Sequence, residues 1–348
     1  MSAIVFGGYG VFGSIVAADL ADAGASVAIA GRDRAKAERR ANELGGTAVA
    51  VDVNDRDACA RAIHGHTVAV NCSGPFRAAN TALLEACLDL GVHYADIADD
   101  RAYCTRVREL GPRFAARGLT AAWGLSSLPG ISGALAVAMH RGPAPRQVRV
   151  TLVIGNHNPK GAAAIRSAVA MLGREIQAPQ GPLRGFRDPE AVDIPPPFGR
   201  RIVANADSPD YDVLPALVGT GHVRVKVGFE LASSNLLFRT LALAGPVWGD
   251  RTAWALGAAG SLASWIGVSG GAVVTELFYE NGATRRGSVS GREHAQRMAA
   301  RPCSLVVEAL LWGAKLPTGA VMAHEAIGSA DLLEGLAASG FAVCHDPA

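Results

Sequence analysis

One short stretch, Phe6 to Ser14 with the sequence FGGYGVFGS, constrains this chain more than any other. A strand-like run, AIVF, precedes it, and an amphipathic run, SIVAADLADAG, follows it. The glycines therefore fall where a strand must turn sharply into a helix. Gly8, Gly10 and Gly13 form the pattern G-x-G-x-x-G, with Tyr9, Val11 and Phe12 between them. A dinucleotide pyrophosphate needs backbone N–H groups aimed at it from a helix N-terminus, with no Cβ in the way. Gly8 suits the tight turn, Gly10 the close approach, and Gly13 the contact of helix with strand. Alone the triplet is a weak signal in a chain with 41 glycines, and its context decides.

The context is a regular alternation. Strand-like SAIVFGG, ASVAIAG, GTAVAVDV, TVAVNCSG, VHYADIA and LTAAWG are separated by amphipathic runs, the last of them Arg101 to Arg117. Such alternation predicts a doubly wound parallel sheet covered on both faces, an α/β Rossmann domain over 1–124. Beyond it the strand candidates QVRVTLVIG, RRIVANA, HVRVKVGFE and GAVVTELFYENG are longer and several alternate in polarity. Period-two alternation predicts a second, α+β domain over 125–348, built on a mixed, largely antiparallel sheet. Its C-terminal helices, at Glu293 to Gly313 and Ala330 to Ser339, can pack back on the first domain.

Which dinucleotide is taken depends on the end of the second strand, where an acid usually accepts from the ribose hydroxyls of NAD. Here the strand ends AIAGRDR, so Ala30 and Gly31 occupy the acidic place and Arg32 follows. Gly31 leaves room, Arg32 can fork onto a 2′-phosphate, and Arg34 or Lys36 can add charge. Asp33, one position along, is the alternative ribose acceptor. NADP(H) is the expected cofactor. Asp52 and Val53, ending the third strand, face the adenine edge. Cys72, Ser73, Gly74, Pro75 and Phe76 end the fourth as a flat shelf for the nicotinamide ribose. Cys72 there is a small packing residue, not a nucleophile.

Hydride transfer needs alignment, a proton donor or acceptor, and little else from the protein. VHYADIADD, at the end of the fifth strand, offers His93, Tyr94 and Asp96 as catalytic candidates. Alternation places Tyr94 and Asp96 on one side of the strand and His93 on the other. The bland reading is that His93 and Tyr94 pack with satisfied polar ends and Asp96 caps the next turn. Ser126 and Ser127 can cap a helix beginning near Gly130, and Lys160 and Arg166 can offer cations to an acidic substrate group.

The remaining signals exclude more than they assign. A net charge of +2 gives no electrostatic case for nucleic acid. Six scattered cysteines without CxxC pairs suit a reducing cytoplasm, and the nine histidines show no metal-ligand spacing, so no metal site is expected. MSAIVFGG lacks the basic and apolar regions of a secretory leader. Ala232 to Thr275 is unusually apolar, but glycine, serine and threonine dilute it and no basic clusters flank it, so a membrane span is not expected. Its apolar surface should be covered, in a homodimer or as the wall of an apolar pocket.

With GGYGVFG, AGRDRAK, VDVND, VNCSGPF and ACLDLGVHYADIADD in this order, the chain resembles the saccharopine dehydrogenase-like (saccharopine reductase) family. LSSLPGISGALA, LPTGAVMAHEAI and GFAVC look like its later segments. The resemblance implies an NADP-binding Rossmann domain joined to an α+β domain used for substrate and dimer contacts. It implies a reductase or dehydrogenase acting on a C=N, C=C or C=O bond without fixing the substrate. The greasy 232–275 region suits a moderately apolar small molecule better than a doubly charged amino acid. Two other classes compete: a non-catalytic NADP(H) sensor or assembly protein, and a membrane-peripheral lipid enoyl reductase.

Overall fold

The computed structural model describes residues 1–158, 162–262 and 265–347. The chain begins β1 (Ser2–Phe6), α1 (Val11–Asp22), β2 (Ser26–Gly31), α2 (Arg34–Glu43), β3 (Thr47–Ala50), α3 (Arg56–Ile63) and β4 (Val68–Asn71). It continues α4 (Ala82–Leu90), β5 (His93–Asp96), α5 (Arg101–Ala116) and β6 (Thr120–Ala122), then a π-type turn at Ser127–Ile131. Next come α6 (Ser132–Met139), β7 (Gln147–Ile154), α7 (Ala162–Met171), β8 (Glu175–Ala178), β9 (Gly181–Arg184), β10 (Glu190–Ile194) and β11 (Gly199–Asn205). They are followed by α8 (Asp210–Val218), β12 (Val223–Phe229), α9 (Ala232–Leu243), α10 (Asp250–Leu262), β13 (Gly271–Phe278) and β14 (Thr284–Gly291). The last elements are α11 (Ala295–Leu311), β15 (Gly319–Val321), α12 (Ala323–Ile327), α13 (Ser329–Ala338) and β16 (Ala342–His345).

Two compact units result. The first comprises Met1–Gly130 and Ala299–Leu332. Its sheet has the order β15-β6-β5-β4-β1-β2-β3, with every pairing parallel. Ile4, Val5, Val68, Val70 and Tyr94 are fully buried, as expected of strands covered on both faces. Strand order reverses between β1 and β4, and the crevice outside the carboxyl ends at that point is where such sheets bind ligands. The seventh strand, β15, comes from residues far along the chain and extends the sheet beyond β6. Gly111 of α5 permits this: a Cβ there would lie 2.8 Å from that of Ala320.

The second unit, Ile131–Met298 with the chain from Leu333 onward, is built on a sheet of order β10-β11-β12-β7-β13-β14-β16. Only β12 and β7 are parallel and the other pairings are antiparallel, so the sheet is mixed and largely antiparallel. α6 packs on β13 and β14, and Gly287 of β14 lies under it, since a Cβ there would come within 2.9 Å of Met139 Sδ. α7, α9 and α10 form a satellite lobe around Val169, Leu172, Phe186, Ala242 and Ala253. Its core is aromatic: Phe238 packs 5.0 Å from Phe186 and 4.9 Å from Phe229 between ring centroids.

Candidate active site

The glycine turn is built of contacts that side chains would block. Gly7 has φ +73°, and a Cβ on Gly13 would lie 2.2 Å from the Gly7 carbonyl oxygen, so the first turn of α1 rests directly on the end of β1. A Cβ on Gly7 would meet the Cys72 carbonyl and Ser73 Oγ, each at 2.9 Å. The turn after β1 and the loop after β4 are thus adjacent, across the switch point. α1 begins after Gly10 with no side-chain cap and no acid in its first turn, so its leading N–H groups are free of side-chain partners. Gly10 is exposed, and a Cβ there would have only the Gly7 carbonyl, at 3.1 Å, within reach. That uncapped, open helix start fits a pyrophosphate.

The end of β2 differs from its expected form. Gly31 does not leave an empty space: a Cβ there would fall 2.5 Å from the ring of Tyr9, which lies over it. The Tyr9 hydroxyl accepts the Asp33 N–H at 3.1 Å, tying the glycine turn to the loop that starts α2. Asp33 is the N-cap of α2, its carboxylate accepting the Lys36 N–H at 3.0 Å and pairing with Lys36 Nζ at 3.0 Å. The Lys36 backbone bond holds the Asp33 carboxyl below its usual range. Arg32 is exposed beside this cap. After β3, Asp52 is exposed and accepts the Asn54 N–H at 3.0 Å, while half-buried Val53 offers its carbonyl to the Cys59 thiol.

At the other side of the switch point the site is made of side chains. The Tyr94 and Tyr103 hydroxyls are 2.7 Å apart, and Asn71 Nδ2 donates to both at 3.3 Å. Asn71 Oδ1 accepts the Ser73 N–H at 3.1 Å, which anchors the loop carrying Gly74, Pro75 and Phe76. Phe76 in turn packs 5.2 Å from the Tyr103 ring. Asp96 Oδ1 accepts the Ala98 N–H at 2.9 Å and the Gly124 N–H at 2.8 Å. Its Oδ2 is buried without a hydrogen-bond partner. Burial is the largest influence on Asp96 and lifts its carboxyl to about 6, against the pull of the two N–H groups and of Tyr94. Burial also pushes the Tyr94 and Tyr103 hydroxyls and the Cys72 thiol up, so none is anionic near neutral pH.

The structure thus brings together Gly8, Tyr9, Gly10, Val11, Phe12, Gly13, Gly31, Arg32, Asp33 and Lys36 on one flank and Cys72 to Phe76, Tyr94 and Asp96 on the other. His93 stands apart: it opens β5 at the amino edge, and its Nδ1 accepts the Thr120 N–H at 3.1 Å. Tyr94 and Asp96 are fully buried, so neither touches a substrate in this conformation. Ser126 does not cap a helix; its hydroxyl donates to the Leu128 carbonyl at 2.9 Å, and α6 starts without a side-chain cap. Arg166 is exposed on α7, and Lys160 lies outside the described residues. No cluster of three potential metal ligands occurs among the described residues. A hollow of about 450 Å³ lined by His64–Thr67 and Leu90–Val92 lies at the amino edge of β4 and β5, remote from the carboxyl-edge chemistry. Asn71 and Tyr103 escape sequence reasoning; the Asn that ends the fourth strand, just before the shelf, is the one signal that could have led to them.

Comparison with known proteins identifies the cofactor. Residues 4–122 match the saccharopine dehydrogenase NADP binding domain. The first unit carries a saccharopine dehydrogenase-type NADP-binding domain. Its cofactor is NADP(H). Saccharopine dehydrogenase (L-Glu forming) from Saccharomyces cerevisiae matches over 100% of this chain and 99% of its own, with a TM-score of 0.66 and 14% identity. At that identity the likeness is one of fold, and it extends through both units. A short-chain type dehydrogenase/reductase from Mycobacterium ulcerans matches over 35% of this chain and 65% of its own, with a TM-score of 0.32 and 22% identity. Triphenylmethane reductase from Citrobacter sp., in complex with NADP(H), matches over 28% and 36% respectively, with a TM-score of 0.25 and 24% identity. No curated protein matches.

Proposed function

We propose that the protein is an NADP(H)-dependent oxidoreductase that reduces, or forms, a C=N, C=C or C=O bond in a moderately apolar small molecule. When bound, the nicotinamide supplies or accepts the hydride. Gly8 to Gly13 and the start of α1 hold the pyrophosphate; Gly31, Arg32, Asp33 and Lys36 take the 2′-phosphate region; Asp52 and Val53 border the adenine. Cys72 to Phe76 form the shelf under the nicotinamide ribose. The observation that carries the catalytic part is Asp96: a buried carboxyl with one unpartnered oxygen, raised to about 6, at the carboxyl edge of β5. A group so tuned holds or releases a proton near neutral pH, as general acid–base work requires. The Tyr94 hydroxyl lies 2.7 Å from that of Tyr103, and their shared partner Asn71 anchors Ser73, so the hydroxyl pair is tied to the shelf. Asp96 and Tyr94 are therefore assigned to proton holding and positioning.

The test is NADPH oxidation across imine, enone and ketone panels, with products identified by mass. Turnover of one panel, lost in Asp96→Asn with NADPH affinity intact, supports the reading. A second reading draws on the complete burial of Tyr94 and Asp96: a sensor that binds NADP(H) without turnover. Tight NADPH binding with no oxidation in any panel selects it.

A further inference from the structure

The satellite lobe of the second unit wears its apolarity on both sides. Inward, Phe238, Leu241 and Trp248 pack against its core, and Trp248 Nε1 donates to the Leu241 carbonyl at 3.0 Å. Outward, where a surface helix should be polar, Leu236 is 62% exposed, Leu243 66%, Val247 71% and Trp254 77%. Trp265 and Ile266, just beyond α10, are 77% and 43% exposed. On α9 the exposed positions 232, 233, 236, 237, 240 and 243 follow helical spacing, and on α10 so do 250, 251, 254, 255, 258 and 259. Each helix thus turns one largely apolar stripe to solvent, and none of the described residues covers it.

We propose that this face is a peripheral lipid-binding surface that takes an anionic membrane interface. The charges favour lipid over a second copy of the chain. Arg166 on α7, Arg239 on α9 and Arg251 on α10 give each helix of the lobe a basic residue, Arg166 and Arg251 exposed, while Asp250 is the single carboxylate between Glu230 and Glu276. Two copies meeting through these helices would bring like-charged surfaces together; anionic headgroups complement the basic excess. Exposed tryptophans beside leucines, with arginines at the margin, are the composition of a helix lying in the interfacial plane. No described helix is long and apolar enough to cross a membrane, so the lobe lies on the surface without spanning it.

The test uses the full chain in flotation with vesicles of phosphatidylcholine alone or with ~30% phosphatidylglycerol. The protein should float with the anionic vesicles, and its tryptophan emission should shift to the blue. Trp254→Ser with Leu243→Ser should lower partitioning at least about tenfold, and Arg251→Glu should lower it on anionic vesicles only. Because these side chains are exposed, unchanged NADPH affinity will show that the variants are folded. Absence of flotation with either vesicle overturns the proposal. If scattering then reports a dimer that Leu243→Glu dissociates, the face joins two copies of the chain instead.

Discussion

The two flanks of the switch point make their site in opposite ways. Around the glycine turn the site is made by what is missing: no Cβ on Gly13 or Gly31, no side-chain cap on α1, no acid ending β2. Around β4 and β5 it is made by buried side chains: Asn71, Tyr94 and Tyr103 in one hydrogen-bonded network, and Asp96 held by the Ala98 and Gly124 N–H groups. Backbone sites bind by geometry and tolerate little change in shape. Side-chain sites act by protonation state, which burial sets. The first flank should therefore respond to bulk and charge, and the second to pH.

The largest effect is expected from bulk. Gly10→Val places a branched side chain in the path of the proposed pyrophosphate, with only the Gly7 carbonyl nearby to displace. NADPH binding should fall by more than about a hundredfold, or ~2.7 kcal/mol, while circular dichroism stays that of the parent. Unchanged affinity in a folded variant removes the cofactor from this turn.

Asp96 should show the response to pH. Its carboxyl sits near 6 in the fold and near 3.8 as the unperturbed group. Below both values the group is protonated in either state; as pH rises through the window the unfolded chain releases its proton first. Stability is therefore lost between about pH 4 and 6, by roughly 2–3 kcal/mol from a shift of about two units. Asp96→Asn removes that slope, so the variant should gain on the parent as pH rises across the window. Parallel stability curves for the two proteins in urea would mean that Asp96 is ionised normally.

A charge change on the first flank comes next. Arg32→Ala should cost roughly 1.5–3 kcal/mol of NADPH binding, the range of a charge-assisted hydrogen bond, and little NADH binding. Equal losses for both cofactors, by calorimetry, would place the 2′-phosphate elsewhere. The smallest effect is expected from Tyr9→Phe. It deletes the acceptor of the Asp33 N–H and keeps the ring over Gly31, so NADPH affinity should drop by about 0.5–1.5 kcal/mol. No change would mean that the turn and the α2 cap hold their places independently.

The same contrast explains what could be read in the sequence. The place of the glycine turn between β1 and α1 and the strand–helix alternation are local patterns of spacing, and they appear in the structure as read. Tyr9 over Gly31 is not local: it joins two turns more than twenty residues apart, so the room assigned to a phosphate proved to hold a ring. Tyr103 meets Tyr94 because α5, which packs on β6 and β15, brings its first turn beside the neighbouring strand β5. The run Ala78 to Leu90 reads in sequence as one helix, but α4 begins at Ala82, after the loop closed by the Asn80-to-Arg77 bond. β14, TRRGSVSG, lacks the apolar alternation of a strand because Gly287 must admit Met139 and its buried serines replace apolar residues. The apolar 232–275 region was legible as apolar; that its outer face stays open depends on how the helices pack.

The most direct test of the account is a crystal structure of the protein with NADP⁺ bound. The account predicts the pyrophosphate on the Gly8–Gly13 turn, the 2′-phosphate against Arg32, and the nicotinamide ribose on the Cys72–Phe76 shelf above Asn71 and Tyr103. A nicotinamide directed away from that shelf, with Asp96 and Tyr94 as sealed as before, would contradict it.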